Sequence, residues 1–573
     1  MSTNPEASNV ATQRLVLNST LPCANHSDNA APCNKAGDFA CGNCLLVAYC
    51  SKTCQIAHWP IHRVDCKSPL MKSDWEPAHF PQQRTPGFLD DDLPETPNIY
   101  LWGDVPAMDV IRLDNNEGRD FQAPGNLRNA LFSVVNLPED YRGHLEIVLN
   151  DNELAMVARN VIFLLIFFLE DNPEVAAEYV LHVWYSVLLT KPCHSMLQDK
   201  IKPVVKAVCD KIAQKPSSTL QSKIWTFGDS SLRLILTRDN WFSLLSYFDL
   251  PQDLTADSAL LVRSKVMADS KKVNRFEEAL CSKPGGPERV AAAKFRSDGI
   301  LLPYGQRRDE FTVPNPTIFR AKKGWPMVHD ADPTLEWPMK AVHEFDIGPA
   351  KKDFCLSIFH RRLRSTPVAF EHLLADVRSL PDFRDWKLFD RIDASNLPDI
   401  GYIGVNETLK TLSPLLQPTT VNSHATLVML FVNAINEMIV KDELDPHRSS
   451  RNPANTEGQM VKVMQLMPKQ SLEGSGNKNY LKTLAALPLV ENMDGYFNRY
   501  MQIRGFEDNG KKVGLQMKDN HTIIDRWPLK APDRIPTKED QEYFALLLAS
   551  GHSGQHRYVE WKRIAETEAE DAD

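Results

Sequence analysis

Seven of the chain's eleven cysteines fall between Cys23 and Cys66. The window reads CANHSDNAAPCNKAGDFACGNCLLVAYCSKTCQIAHWPIHRVDC. It is too short and too poor in large aliphatic residues to fold on a core of its own, so it needs cross-links. The N-terminus, MSTNPEASNVATQRL, has neither the basic start nor the apolar block of a secretory signal. The most apolar run, Val161 to Leu169, has nine residues, whereas a membrane span needs about 20. The chain is therefore expected in a reducing, intracellular compartment, nucleus or cytoplasm, with no membrane association. There, dense cysteines point to metal and not to disulfides. The spacings agree. Cys41 and Cys44 form C-x2-C, Cys50 and Cys54 form C-x3-C, and His62 and Cys66 form H-x3-C. Seven thiolates and one imidazole suffice for two closed tetrahedral zinc sites, each worth on the order of 10–16 kcal/mol of folding free energy.

The run Tyr49-Cys50-Ser51-x2-Cys54-Gln55-x3-Trp59-x2-His62-x3-Cys66, placed after Cys41-x2-Cys44, resembles a MYND-type zinc finger across the whole window. The resemblance implies a cross-brace of two structural zinc ions. Cys23, Cys33, Cys50 and Cys54 would hold one, and Cys41, Cys44, His62 and Cys66 the other. It also implies binding of proline-containing peptides, with Ser51, Gln55 and Trp59 in the groove. The plainer account of Trp59 is packing between the two zinc lobes. One departure stands out: the first pair, Cys23 and Cys33, is ten residues apart where the family usually has C-x2-C, a wide gap that resembles the fungal branch. His26, at C-x2-H from Cys23, is an alternative ligand to Cys33. His58 is expected to face solvent, because the ligand count is complete without it. Residues 1–68 hold five Lys/Arg against four Asp/Glu, so no nucleic-acid-binding face is expected there.

The other residues, of 573 in all, are 43% hydrophobic and 24% charged over the full chain, with net charge −9. That is globular composition without a global basic field. The expected division is a tail at 1–20, the finger at 21–68, a Pro-rich linker at 69–95, an α/β body in two halves (96–250 and 251–450), a C-terminal extension at 451–555 and an acidic tail at 556–573. With a linker between them, finger and body are expected to unfold independently. Short strands are expected at Ile99–Trp102, Val110–Leu113 and Leu145–Leu149. Helices are expected at Leu127–Leu137, capped by Asn126, and at Glu153–Leu169, the latter apolar on most sides and so buried. Helical signals continue to about Asp249, with Trp184, Trp225 and Trp241 as core anchors. Leu388–Ile392 and Ala425–Val432 read as strands and Val405–Leu416 as a helix. The alternation suggests an α/β layer of parallel strands. Asp114, Asn150, Asp151, Asp393 and Asn396 stand at strand ends, where an open sheet places its ligand crevice. Asp and Asn also stand there simply as turn and cap residues.

NIYLWGDVPAMDVI and GNLRNALFSVVNLPEDYRGHLEIVLNDNELAMVARNVIFLLIF resemble an uncharacterised domain that accompanies MYND fingers in fungal proteins and occurs in axonemal dynein assembly factors. FDRIDASNLPDIGYIGV and HATLVMLFVNAI resemble the distal half of the same proteins, which look like degenerate, methyltransferase-like Rossmann folds. A working S-adenosylmethionine enzyme is the alternative to a non-catalytic body. Against it, Gly103 and Gly125 stand alone where a Gly-rich turn would let backbone approach a nucleotide. A SET-type methyltransferase is disfavoured by the scatter of Cys193, Cys209, Cys281 and Cys355. No G-x-S-x-G or H-E-x-x-H occurs, and Cys193-His194 adjacency does not make a catalytic dyad. The expectation is a small cross-brace two-zinc finger on a large, helix-rich, Rossmann-like α/β body. Its expected role is an adaptor without catalytic residues, whose partners bear short proline-containing motifs.

Overall fold

The computed structural model describes residues 22–26, 33–78, 101–319 (apart from 104, 114–120 and 125–126), 332–338, 352–382, 388–443, 453–467 and 478–564. The expected tail at 1–20, most of the linker, Asp114 and the Asn126 cap lie outside them.

The N-terminal module has one small hairpin and one helix. β1 (Phe39–Ala40) pairs antiparallel with β2 (Ala48–Tyr49), and α1 spans Lys52–Cys66. Ser51 starts α1 by accepting the Cys54 N–H on its Oγ, a side-chain N-cap that satisfies one of the helix's orphan donors.

The body carries two mixed sheets. The first has the order β3 (Phe121–Pro124), β4 (Leu145–Asp151), β9 (Val368–Leu374), β7 (Ser230–Thr237), β6 (Leu220–Phe227). β3, β4, β9 and β7 run parallel, and β6 returns antiparallel to β7. Alternation along β4 divides its side chains between two cores: Leu145, Ile147 and Leu149 join one, Val148 the other. α2 (Leu127–Val135) and α3 (Leu154–Leu169) pack into the first core, α3 with twelve buried residues and Phe163 stacked on Trp184. Trp184, Trp225 and Trp241 are all buried there. A small antiparallel pair, β5 (Leu188–Thr190) and β8 (Phe311–Pro314), lies apart from the main sheets.

The second sheet has the order β10 (Arg391–Asp393), β11 (Thr426–Phe431), β13 (Arg557–Arg563), β12 (Leu515–Met517). β10 and β11 are parallel, and β13 is antiparallel to both of its neighbours. All six residues of β11 are buried, which matches its unbroken apolar sequence. β10 lies beside β3, so the two sheets meet edge to edge.

Several expectations change here. The all-parallel layer becomes two mixed sheets. The stretch read as helical to Asp249 contains the β6–β7 hairpin. Its period-two pattern, with Leu232, Leu234 and Leu236 buried, and its Gly228-Asp229 turn, with Gly228 at φ +60°, were the signals for it. Leu101–Trp102 and 110–113 are loop instead of strand, with Leu101, Trp102, Val110 and Ile111 buried. Their polar groups find partners elsewhere in the core: Trp102 Nε1 donates to the backbone oxygen of Trp184, and Val110 N donates to Ser133 Oγ. The strand expected at Leu388 begins only at Arg391. Residues 557–563, assigned above to a solvated tail, form β13, with Val559, Glu560 and Trp561 at 0% exposure. The C-terminal extension has its own core, built by Val463, Leu466, Leu489, Phe544 and Leu547.

Two core histidines give the fold an acid limit. Burial holds His182 down at about 3 and His372 at about 4. The unfolded chain, with histidines near 6.5, takes up these protons first. Stability is therefore full above pH 6.5 and is lost as pH falls toward 4, at up to about 1.4 kcal/mol per pH unit per histidine. Neither ring nitrogen of His372 has a hydrogen-bond partner of normal geometry. His372→Leu is expected to stabilise the protein by about 1–2 kcal/mol at pH 7 and to flatten the acid limb. Urea titrations at pH 7 and pH 5 check this, and superimposable pH dependences would refute it.

Candidate metal centre

The chain crosses itself to build two ligand groups. Cys23, Cys33, Cys50 and Cys54 converge with all ligand atoms within 4.8 Å of one another, and Cys41, Cys44, His62 and Cys66 do the same. α1 contributes Cys54 to the first group and His62 and Cys66 to the second. Backbone bonds fix the loops that bring in the rest: Cys23 N donates to Lys35 O, Cys33 N to Asn25 O, and Cys41 N to Val47 O. A tetrahedron with Zn–S bonds of about 2.3 Å has sulfur–sulfur edges of about 3.8 Å. The observed Sγ–Sγ separations are 3.6 Å for Cys33–Cys50, 3.5 Å for Cys50–Cys54 and 3.8 Å for Cys41–Cys66, and Cys44 Sγ lies 3.3 Å from His62 Nε2. The two clusters fit two structural zinc ions.

The electrostatics agree with that fit. Burial pushes the Cys44 thiol up to about 12. An uncompensated thiolate is costly there, and a divalent cation supplies the compensation, releasing a proton on binding. Cys54 is held down at about 7, chiefly by a hydrogen bond from the Asn25 side chain. Asn43 Nδ2 donates to Cys66 O and approaches Cys66 Sγ at 3.3 Å, an outer-sphere contact that orients the ligand.

His26 turns away from the first cluster, with Nε2 2.9 Å from Gly305 O. His58, expected in solvent, is only 8% exposed, and its Nδ1 pairs with the Tyr49 hydroxyl at 3.0 Å. The helical period explains the correction: positions 58 and 62 share one face of α1, and their rings stack 6.0 Å apart. Gln55 and Trp59 are also one turn apart. Trp59 meets the His62 ring edge-on yet remains 37% exposed. Ser51 Oγ is engaged as the helix cap.

The finger is seated on the body, contrary to the expectation of independence. Tyr304 packs against the cysteine cluster and its hydroxyl bonds Asp65. Arg289 donates from Nε to Leu70 O and from Nη2 to Lys72 O, both at 2.8 Å. Gly286 lets the Gly286–Asp298 helix come so close that an added Cβ would lie 2.6 Å from Met71 Cα. These partners lie more than 200 residues along the chain from the finger, so no local sequence pattern pointed to them.

At the sheet ends, Asp393 and Asn129 come together, with Asn129 Nδ2 donating to Asp393 Oδ2 at 2.7 Å and Ser395 N to Asp393 Oδ1. Asp151 accepts from Glu153 N, and burial raises it to about 6. Asn150 donates to Ala375 O. No side-chain bond brings Asn396 to this group. Cys193 is buried, its thiol pushed up by burial, while His194 pairs with Gln198. The two do not form a dyad.

Two family models match. "MYND finger" covers residues 31–66, and "Domain of unknown function (DUF4470)" covers residues 101–189. The first leaves Cys23 outside its span, so that residue's place rests on the geometry. No curated protein and no solved structure matches the chain. Among the described residues, no helix is long and apolar enough to cross a membrane.

Proposed function

We propose that this chain is a zinc-ordered adaptor. The eight clustered residues hold two zinc ions, and the finger binds short proline-containing segments of partner proteins through Trp59 and Gln55. Each cluster supplies four protein ligands, which leaves no open position for a metal-bound water, so the zinc is structural. The carrying observation is the exposed Trp59 ring held edge-on against a ligand imidazole, an apolar platform fixed by the metal site. A centre with seven thiolates suits a reducing compartment, nucleus or cytoplasm. Trp59→Ala is expected to keep its zinc and to lose at least tenfold in affinity for proline-containing peptides, a drop typical of an aromatic anchor. Unchanged binding would remove the reading.

The body is proposed to be methyltransferase-like and non-catalytic. With the β6–β7 hairpin left out, β9, β4, β3, β10 and β11 lie side by side as third, second, first, fourth and fifth in chain order, which supports a doubly wound reading. That order favours the alternative, an active S-adenosylmethionine enzyme. Against catalysis, Asp393 at the crevice between first and fourth strands already has both oxygens bonded within the chain. Calorimetry with S-adenosylmethionine separates the two readings. Micromolar binding that Asp151→Asn abolishes would replace the adaptor proposal with the enzyme.

A further inference from the structure

The side of α1 turned away from the zinc clusters carries more apolar surface than its sequence context explains. Ile56 is 63% exposed, Ile61 53% and Val64 69%. Ile56, Pro60 and Val64 are four residues apart, so they form one row along the helix, with the Trp59 ring beside it. The same side carries Lys52, Arg63 and Lys67, all exposed, with Lys67 Nζ 5.8 Å from the Trp59 ring centre. α1 has one acid, Asp65, and it is half-buried at the seam and bonded by Tyr304. Within α1 and its C-cap, therefore, the exposed charge is all positive. The opposite side is closed, since His58, His62 and Cys66 are buried against the second cluster. A row of apolar side chains edged by cations is complementary to an extended peptide with apolar and acidic residues. The apolar contacts supply affinity, and the charges supply selectivity and encounter rate.

We propose that this face of α1 docks a partner protein's acidic, proline-containing segment, with acidic side chains against Arg63 and Lys67 and apolar residues along Ile56, Pro60 and Val64. The inference rests on the adaptor reading and adds a charge requirement to it.

The test uses the full-length, zinc-loaded chain and two synthetic decapeptides. One carries two prolines, two leucines and four acidic residues. Its twin has every acid replaced by the matching amide. Calorimetry at low salt is expected to show the acidic peptide binding about tenfold more tightly, which is about 1.4 kcal/mol. The preference should shrink as salt rises. The double change Arg63→Glu with Lys67→Glu should abolish the preference with two zinc retained. Ile56→Ser with Val64→Ser should weaken both peptides alike. Equal affinity for the twins, with binding still lost in Trp59→Ala, would overturn the charge requirement and leave the adaptor reading standing. Failure of both peptides to bind would overturn this proposal and the peptide-binding reading together.

Discussion

Removing zinc is expected to unfold the finger and also to lower the melting temperature of the body. The first effect follows from composition and geometry. Residues 33–68 bury little besides their own ligands, Val47, Ala48, Tyr49 and His58, so the metal supplies most of the folding free energy, on the order of 10–16 kcal/mol per site. The second follows from the seam. Tyr304 packs into the cluster, and Arg289, 6% exposed, holds two carbonyls of the segment that leaves α1. Losing these contacts removes two hydrogen bonds to a charged group, at about 2 kcal/mol in all, or about 2 °C for a body of more than 400 residues. Cys44→Ala is expected to reproduce both effects. Hydrogen exchange should then rise in 33–78 and in the Gly286–Asp298 helix. A body transition that does not move on chelation would show that the seam contributes nothing.

A chain ending at residue 556 is expected to fail to form the second sheet. β13 is paired on both sides, so its removal strips β11 of an antiparallel partner and leaves β12 with none. Trp561 is fully buried, and loss of such a ring alone costs about 3–5 kcal/mol. Glu560, also fully buried, accepts the N–H groups of Thr522, Ile523 and Ile524 and lies 3.3 Å from Lys518 Nζ. Deleting one member of such a buried pair costs about 3–5 kcal/mol more. Together these approach the whole net stability of a typical domain, about 5–15 kcal/mol. Limited proteolysis should cut the truncated chain between 388 and 517 while sparing the first sheet. A full-length Trp561→Ala protein should show a milder version. Native-like protection in the truncated chain would mean that β13 is dispensable.

These two expected outcomes mark where the sequence was and was not readable. Ligand spacing is local, and C-x2-C or H-x3-C within one turn declares its chemistry without tertiary knowledge. The apolar run of α3 and the six-residue core strand β11 were readable for the same reason. β13 was not. RYVEWKR carries four charges, and its place in the core depends on partners that neutralise Glu560 and Arg557 from elsewhere in the chain. The β6–β7 hairpin carried a readable alternation that neighbouring helical signals obscured. His58 shows the same limit on a small scale. Its burial follows from the helical period once Tyr49 and His62 are known to face it, while ligand counting alone placed it in solvent. The seam through Tyr304, Arg289 and Gly286 had no local signal at all, because close approach of two backbones depends on the finished fold.

The central claim is that eight residues order two metal ions, and that Cys33, not His26, completes the first set. Elemental analysis of untagged protein purified without chelator tests it most directly. Two zinc per chain are predicted for the wild type, two for His26→Ala and one for Cys33→Ala. One zinc or none in the wild type, or loss of an ion on changing His26 with Cys33→Ala unaffected, would contradict the account.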